Sequence, residues 1–109
     1  MPQFVEIPER LKRLVSPDRI ADFGHRWKIT ELALFGSVLR DDFDEGSDVD
    51  VLVSFDPEAT WSLWDLTAMA DELSAIIGRK VDFVEKEGLR NPFRRQHIVN
   101  SSKVIYVGS

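Results

Sequence analysis

Two carboxylates separated by one residue, Asp48 and Asp50, are the first sign of chemistry in this chain. In a strand, residues two apart project from the same face about 6.6 Å from one another, so both side chains can converge on one cation. Adjacent anions repel, and a hard, oxygen-preferring divalent ion, Mg²⁺ above all, is the partner that compensates them. A third carboxylate, Asp82, sits inside the β-prone run Val81-Asp82-Phe83-Val84 and projects opposite to its apolar neighbours. If the two strands are neighbours, three negative charges gather at one spot. Two Mg²⁺ ions about 3.5–4 Å apart would offset them and hold an incoming triphosphate. Gly36-Ser37 ends the preceding apolar run, where a residue without a side chain lets backbone approach phosphate and a hydroxyl can donate to it. Arg40, three residues beyond Ser37, supplies a fixed cation able to meet triphosphate oxygens. Such a set suits phosphoryl or nucleotidyl transfer.

The elements that must position these residues can be read from periodicity. Ser16-Pro17-Asp18 has the form of a helix start, with Ile20, Phe23 and Trp27 following at helical spacing. Pro8 to Val15 reads as a short preceding helix with Leu11 and Leu14 on one side. Ile29 to Phe35 is a β-prone apolar run that stops at Gly36-Ser37. A second strand carries Val49, Val51, Val53 and Phe55 in alternation with Asp48, Asp50, Leu52 and Ser54. Leu66, Met69, Ala70, Leu73, Ile76 and Ile77 then recur at helical intervals up to Gly78, a C-cap. Val81 to Val84 forms a third strand, Asn91-Pro92 opens a basic helix to about Asn100, and Val104 to Val107 forms a last strand. The expected fold class is α/β (α+β), one mixed sheet with helices packed on it, in a single domain spanning residues 1–109. The short connection between the first two strands permits an antiparallel pair.

Composition narrows the function. With no Cys, thiol nucleophiles, disulfide frameworks and Cys-based zinc sites are excluded. Nineteen acidic against fourteen basic residues give a net charge of −5, which argues against a protein that coats nucleic acid through its phosphates. Met1 to Val15 lacks the apolar core of a secretory signal, and no apolar run approaches the roughly 18 residues of a membrane span. A soluble, cytoplasmic protein is expected. Asp41, Asp42, Asp44 and Glu45 read as a solvated loop without chemistry.

Gly36-Ser37, ten intervening residues and Asp48-Val49-Asp50 resemble the GS-x10-DxD signature of the nucleotidyltransferase fold shared with DNA polymerase β. Leu34 to Arg40 and Ser47 to Val53 strengthen the likeness, which covers about residues 17–107. More narrowly, the chain resembles the minimal nucleotidyltransferase domains that act as antitoxins to HEPN-domain ribonuclease toxins. The resemblance implies that Asp48 and Asp50 bind two catalytic Mg²⁺ ions. It implies that Asp82 is the third carboxylate, ligating one metal and helping to deprotonate the attacking hydroxyl. Gly36 and Ser37 would hold the β- and γ-phosphates of ATP, with Arg40 beside them, although the family's arginine is usually followed by glycine and here by Asp41. The implied activity is transfer of AMP from ATP to a tyrosine hydroxyl of the cognate toxin, which neutralises it. The alternative is a non-catalytic antitoxin that neutralises its toxin by stoichiometric binding. The intact acidic set favours the enzyme.

The remaining candidates are given structural roles. Trp61 and Trp64 are expected to pack at the core or its rim, with a partner-facing hot spot as the second reading. Arg90 and His97 match the loose Arg-x(4–6)-His spacing of HEPN ribonucleases, but that motif belongs to all-helical domains and this chain is rich in strands. With Arg94 and Arg95 they form a basic stretch, solvated or facing phosphate or a partner. His25 is expected to be structural or exposed.

Overall fold

A computed structural model describes residues 16–39 and 48–108. Within them the order is α1 (Pro17–Arg26), β1 (Ile29–Phe35), a 3-10 turn (Gly36–Leu39), β2 (Val49–Phe55), α2 (Leu63–Ile77), β3 (Val81–Glu85), a second 3-10 turn (Lys86–Gly88), α3 (Pro92–Ser101) and β4 (Lys103–Val107). The expected helix over Pro8 to Val15 lies outside the described residues.

Helix ends follow local chemistry. Pro17 sits at the start of α1, where its missing N–H would have had no helical partner. The Ser62 hydroxyl accepts the Asp65 N–H at 3.2 Å, and the Asp65 carboxylate accepts the Ser62 N–H at 2.9 Å, a reciprocal cap that fixes where α2 begins. Gly78, at φ 81°, ends it in the left-handed region. The Asn91 side chain accepts the N–H groups of Phe93 and Arg94 and starts α3.

The four strands lie in the order β3-β2-β1-β4. β1 pairs antiparallel with β2 and with β4, whereas β2 and β3 run parallel, the chain crossing between them through α2. α1 and α2 cover one face, where Ile20, Phe23, Met69 and Leu73 close over Leu32, Leu34, Val49, Val51 and Val53. α3 covers part of the other face, its Ile98 packing with Ala33 and Leu52. Because β2 is covered on both sides, it buries Val51, Leu52 and Val53 in succession instead of alternating. At its start the alternation returns: Val49 is fully buried, and Asp50 points to the side less completely covered. Asp48 was expected inside this strand. β2 begins one residue later, the Val49 N–H making the first bond to β3's side, to the Lys80 carbonyl at 2.8 Å. No helix of the described residues is long and apolar enough to cross a membrane.

Candidate active site

The site is built where three chain segments meet at one end of the sheet. In the parallel pairing of β2 with β3, Asp50 lies level with Asp82, and across the antiparallel ladder Asp50 faces Phe35, the last residue of β1. The turn that leaves β1 therefore begins directly beside Asp50. Its first residue, Gly36, has φ 76°, a conformation that residues with a Cβ rarely adopt. A Cβ placed there would also collide with the Asp50 carboxylate, the Asp50 Cγ being 3.2 Å away. Two independent constraints thus require glycine at this position. Val38, fully buried, anchors the turn to the core below.

The electrostatics follow from the packing. Burial, then the Asp82 carboxylate, then that of Asp48 push the Asp50 carboxyl above its ordinary range. Lys80 lies just before β3, and its Nζ stands 4.0 Å from an Asp48 carboxylate oxygen, the lysine side chain being largely exposed and that of Asp48 partly so. Screening by water limits what that pair can offset. Among the described residues no three acidic or imidazole side chains converge closely enough to enclose a metal. The donor set still matches a hard divalent cation, since it consists of carboxylate oxygens whose mutual repulsion a bound cation would relieve. Asp82 is exposed on the edge strand, open to a ligand.

The sequence candidates thus separate into those brought together and those not. Gly36, Asp50 and Asp82 are assembled side by side, with Asp48 one residue before β2. The backbone of Ser37 belongs to the turn beside Asp50. Arg40 and the run Asp41, Asp42, Asp44 and Glu45 lie outside the described residues. Lys80 was missed by the sequence reading. Its signal is the register itself, because pairing Val49 with Val81 puts Lys80 level with Asp48.

Two expectations on the tryptophans divide. Trp61 packs at the rim, its ring centroid 5.2 Å from that of Trp27 in an edge-on contact, and its Nε1 donates to the Trp27 carbonyl at 3.1 Å. Trp64, expected to pack as well, is 83% exposed. The helical stripe that enters the core runs through Met69 and Leu73, and Trp64 falls off it. Arg90, Arg94, Arg95 and His97 are all exposed, as is His25.

Comparison with known proteins places this geometry. The nucleotidyltransferase domain family matches residues 7–105. The protein adenylyltransferase MntA of Thermococcus cleftensis is 34% identical over 86 residues, 79% of this chain and 82% of that one. Among solved structures, a toxin-antitoxin complex with AMP-PNP superposes with a TM-score of 0.68 at 20% identity, over 87% of this chain and 76% of the other. A Shewanella oneidensis complex of a tri-AMPylated HEPN toxin with its MNT antitoxin gives a TM-score of 0.60 at 20% identity, over 84% and 70%. At that identity the two structures speak for the fold. The extent of the family match, together with a relative 34% identical over most of both chains, shows that this chain belongs to the nucleotidyltransferase domain family.

Proposed function

We propose that this chain is a Mg²⁺-dependent protein adenylyltransferase that moves AMP from ATP to a tyrosine hydroxyl of a HEPN-type ribonuclease toxin, and so acts as its cytoplasmic antitoxin. One observation carries the chemistry: Asp50 and Asp82 lie level on neighbouring strands beside Gly36, where a Cβ would overlap the Asp50 carboxylate. The protein substrate is supported by the relative named as a protein adenylyltransferase and by the toxin-antitoxin complexes that share the fold.

In this reading Asp48, Asp50 and Asp82 would hold two Mg²⁺ ions. Those ions supply charge neutralisation for the triphosphate and a lowered pKa for the acceptor hydroxyl. Gly36 and the backbone of Ser37 present an unobstructed turn to the β- and γ-phosphates, and Arg40 adds its guanidinium to the same anion. Asp82, exposed at the sheet edge, takes the proton of the attacking hydroxyl. The acceptor oxygen forms a bond to the α-phosphorus as the bond from that phosphorus to the bridging oxygen of pyrophosphate breaks. AMP is left esterified to the tyrosine. Catalysis here is largely positioning of the two reactants and stabilisation of charge.

The test is incubation of the protein with α-labelled ATP, Mg²⁺ and the product of the neighbouring gene. Label should pass to that product and be abolished by Asp48→Asn or Asp50→Asn with the circular dichroism spectrum preserved. Label retained by either variant sinks the assignment of those residues. Neutralisation of the toxin without any label transfer favours a non-catalytic antitoxin.

A further inference from the structure

Where α2 passes β3, the edge strand of the sheet, the two elements leave a groove of about 320 Å³. Leu63, Leu66 and Ala70 give it an apolar wall, one stripe of α2 at helical spacing. Asp71 from α2 and Glu85 from β3 give it two carboxylates, the Asp82 residue borders it, and among the described residues no basic side chain lines it. Leu63, which lines it, stands in water at 77% exposure, and Trp64, the next residue of the helix, at 83%. Two such neighbours on one helical turn mark a binding surface more often than chance, and Trp is the residue that most often anchors one. Asp82, level with Asp50, is among the residues that border the groove, so the groove adjoins the strand that carries part of the candidate active site.

We propose that this groove is the track on which the acceptor protein docks, through a segment that carries Lys or Arg side chains on one side and an apolar anchor on the other. The proposal deepens the functional reading above and rests on it for the identity of the partner as a protein acceptor. Charge complementarity selects the occupant. An acidic channel on a chain of net charge −5 repels a second copy of itself and attracts a basic segment. The apolar wall and Trp64 supply the burial that holds it, and the groove sets the bound segment beside the strand that carries Asp82.

The probe is a 14-residue amphipathic Lys/Leu helix titrated into ¹⁵N-labelled protein without ATP or metal, with a Glu/Leu peptide of the same spacing as control. The Lys/Leu peptide is expected to shift the amides of residues 63–71 and 81–85, and the Glu/Leu peptide is not. Trp64→Ala should weaken binding at least fivefold, and Asp71→Lys at least tenfold with loss of the preference for the basic peptide. Equal binding of both peptides, shifts centred elsewhere, or variants that bind like the wild type overturn the proposal. So does a dimer of this chain closed over the same residues in sedimentation. Because the titration needs no nucleotide, peptide docking without AMP transfer defeats only the functional reading, and AMP transfer without docking at this groove defeats only the proposal.

Discussion

Gly36 and Asp50 are coupled at atomic range, and each limits what the other can be. Replacing Gly36 by Ala puts a Cβ into the Asp50 carboxylate and forces a left-handed backbone on a residue that resists it by roughly 1–2 kcal/mol. The expected outcome is a loss of about 1–3 kcal/mol in chemical denaturation and a drop of two orders of magnitude or more in AMP transfer, because the carboxylate must move to admit the methyl group. Transfer within threefold of wild type would show that the turn does not shape the site. Asp50 itself should behave as a residue held against its own stability. Its carboxyl sits above the ordinary range, so the folded state binds a proton more readily than the unfolded chain. The stability this group contributes is present below its unfolded pKa and is lost as pH rises through its raised folded value. Asp50→Asn is therefore expected to leave the melting temperature at pH 7 unchanged or higher. Its advantage over wild type should shrink as pH falls through the raised folded value and be gone below the unfolded one. An Asn variant less stable than wild type at pH 7 contradicts a site strained by like charge.

The elements supply the precision that isolated residues lack, and their ends are where that precision is tested. Ser62 and Asp65 cap each other's backbone at the start of α2, so Ser62→Ala is expected to destabilise the fold by about 1 kcal/mol, measured by urea denaturation with unchanged slope. Gly24 on α1 meets the Tyr106 ring so closely that its Cβ would fall 2.6 Å from Cζ. The helix preference of Ala is outweighed by this overlap with a buried ring, and Gly24→Ala should cost about 1–3 kcal/mol net. Such element ends explain what could be read beforehand. The helices were legible because Pro17, Gly78 and Asn91-Pro92 punctuate them locally, and β2 because Val49 and Val51 alternate with Asp48 and Asp50 at the head of a valine-rich run. The pairing of Asp50 with Asp82 was legible only as a condition. Thirty-one intervening residues, including the whole of α2, decide which strand lies next to which, and no local rule fixes a parallel register. Lys80 was hidden for the same reason. Trp64 was misread because two tryptophans three apart suggest one buried face. Only the packing of α2 shows that Trp61, lying before the helix, turns inward to Trp27 and Trp64 does not.

At the scale of the molecule, a chain of net charge −5 concentrates like charge at the end of its sheet and leaves it poorly compensated. Folding without a cation therefore works against part of its own electrostatics, and whatever binds that end should stabilise the whole chain by linkage. With Mg²⁺ and ATP together at about 100 times their dissociation constant, the expected gain is about 2.7 kcal/mol, since only the folded sheet brings strands β2 and β3 level. In a domain of this size that corresponds to a rise of roughly 10–20 °C in the melting temperature. The rise should vanish in EDTA. It should also vanish in Asp50→Asn, even though that variant starts from an equal or higher melting temperature, because the carboxylate that burdens the empty site is the one that rewards the filled one. A calorimetric scan of both proteins, with and without Mg²⁺ and ATP, separates the two effects. Equal upward shifts in wild type and variant would place the nucleotide somewhere other than at these strands.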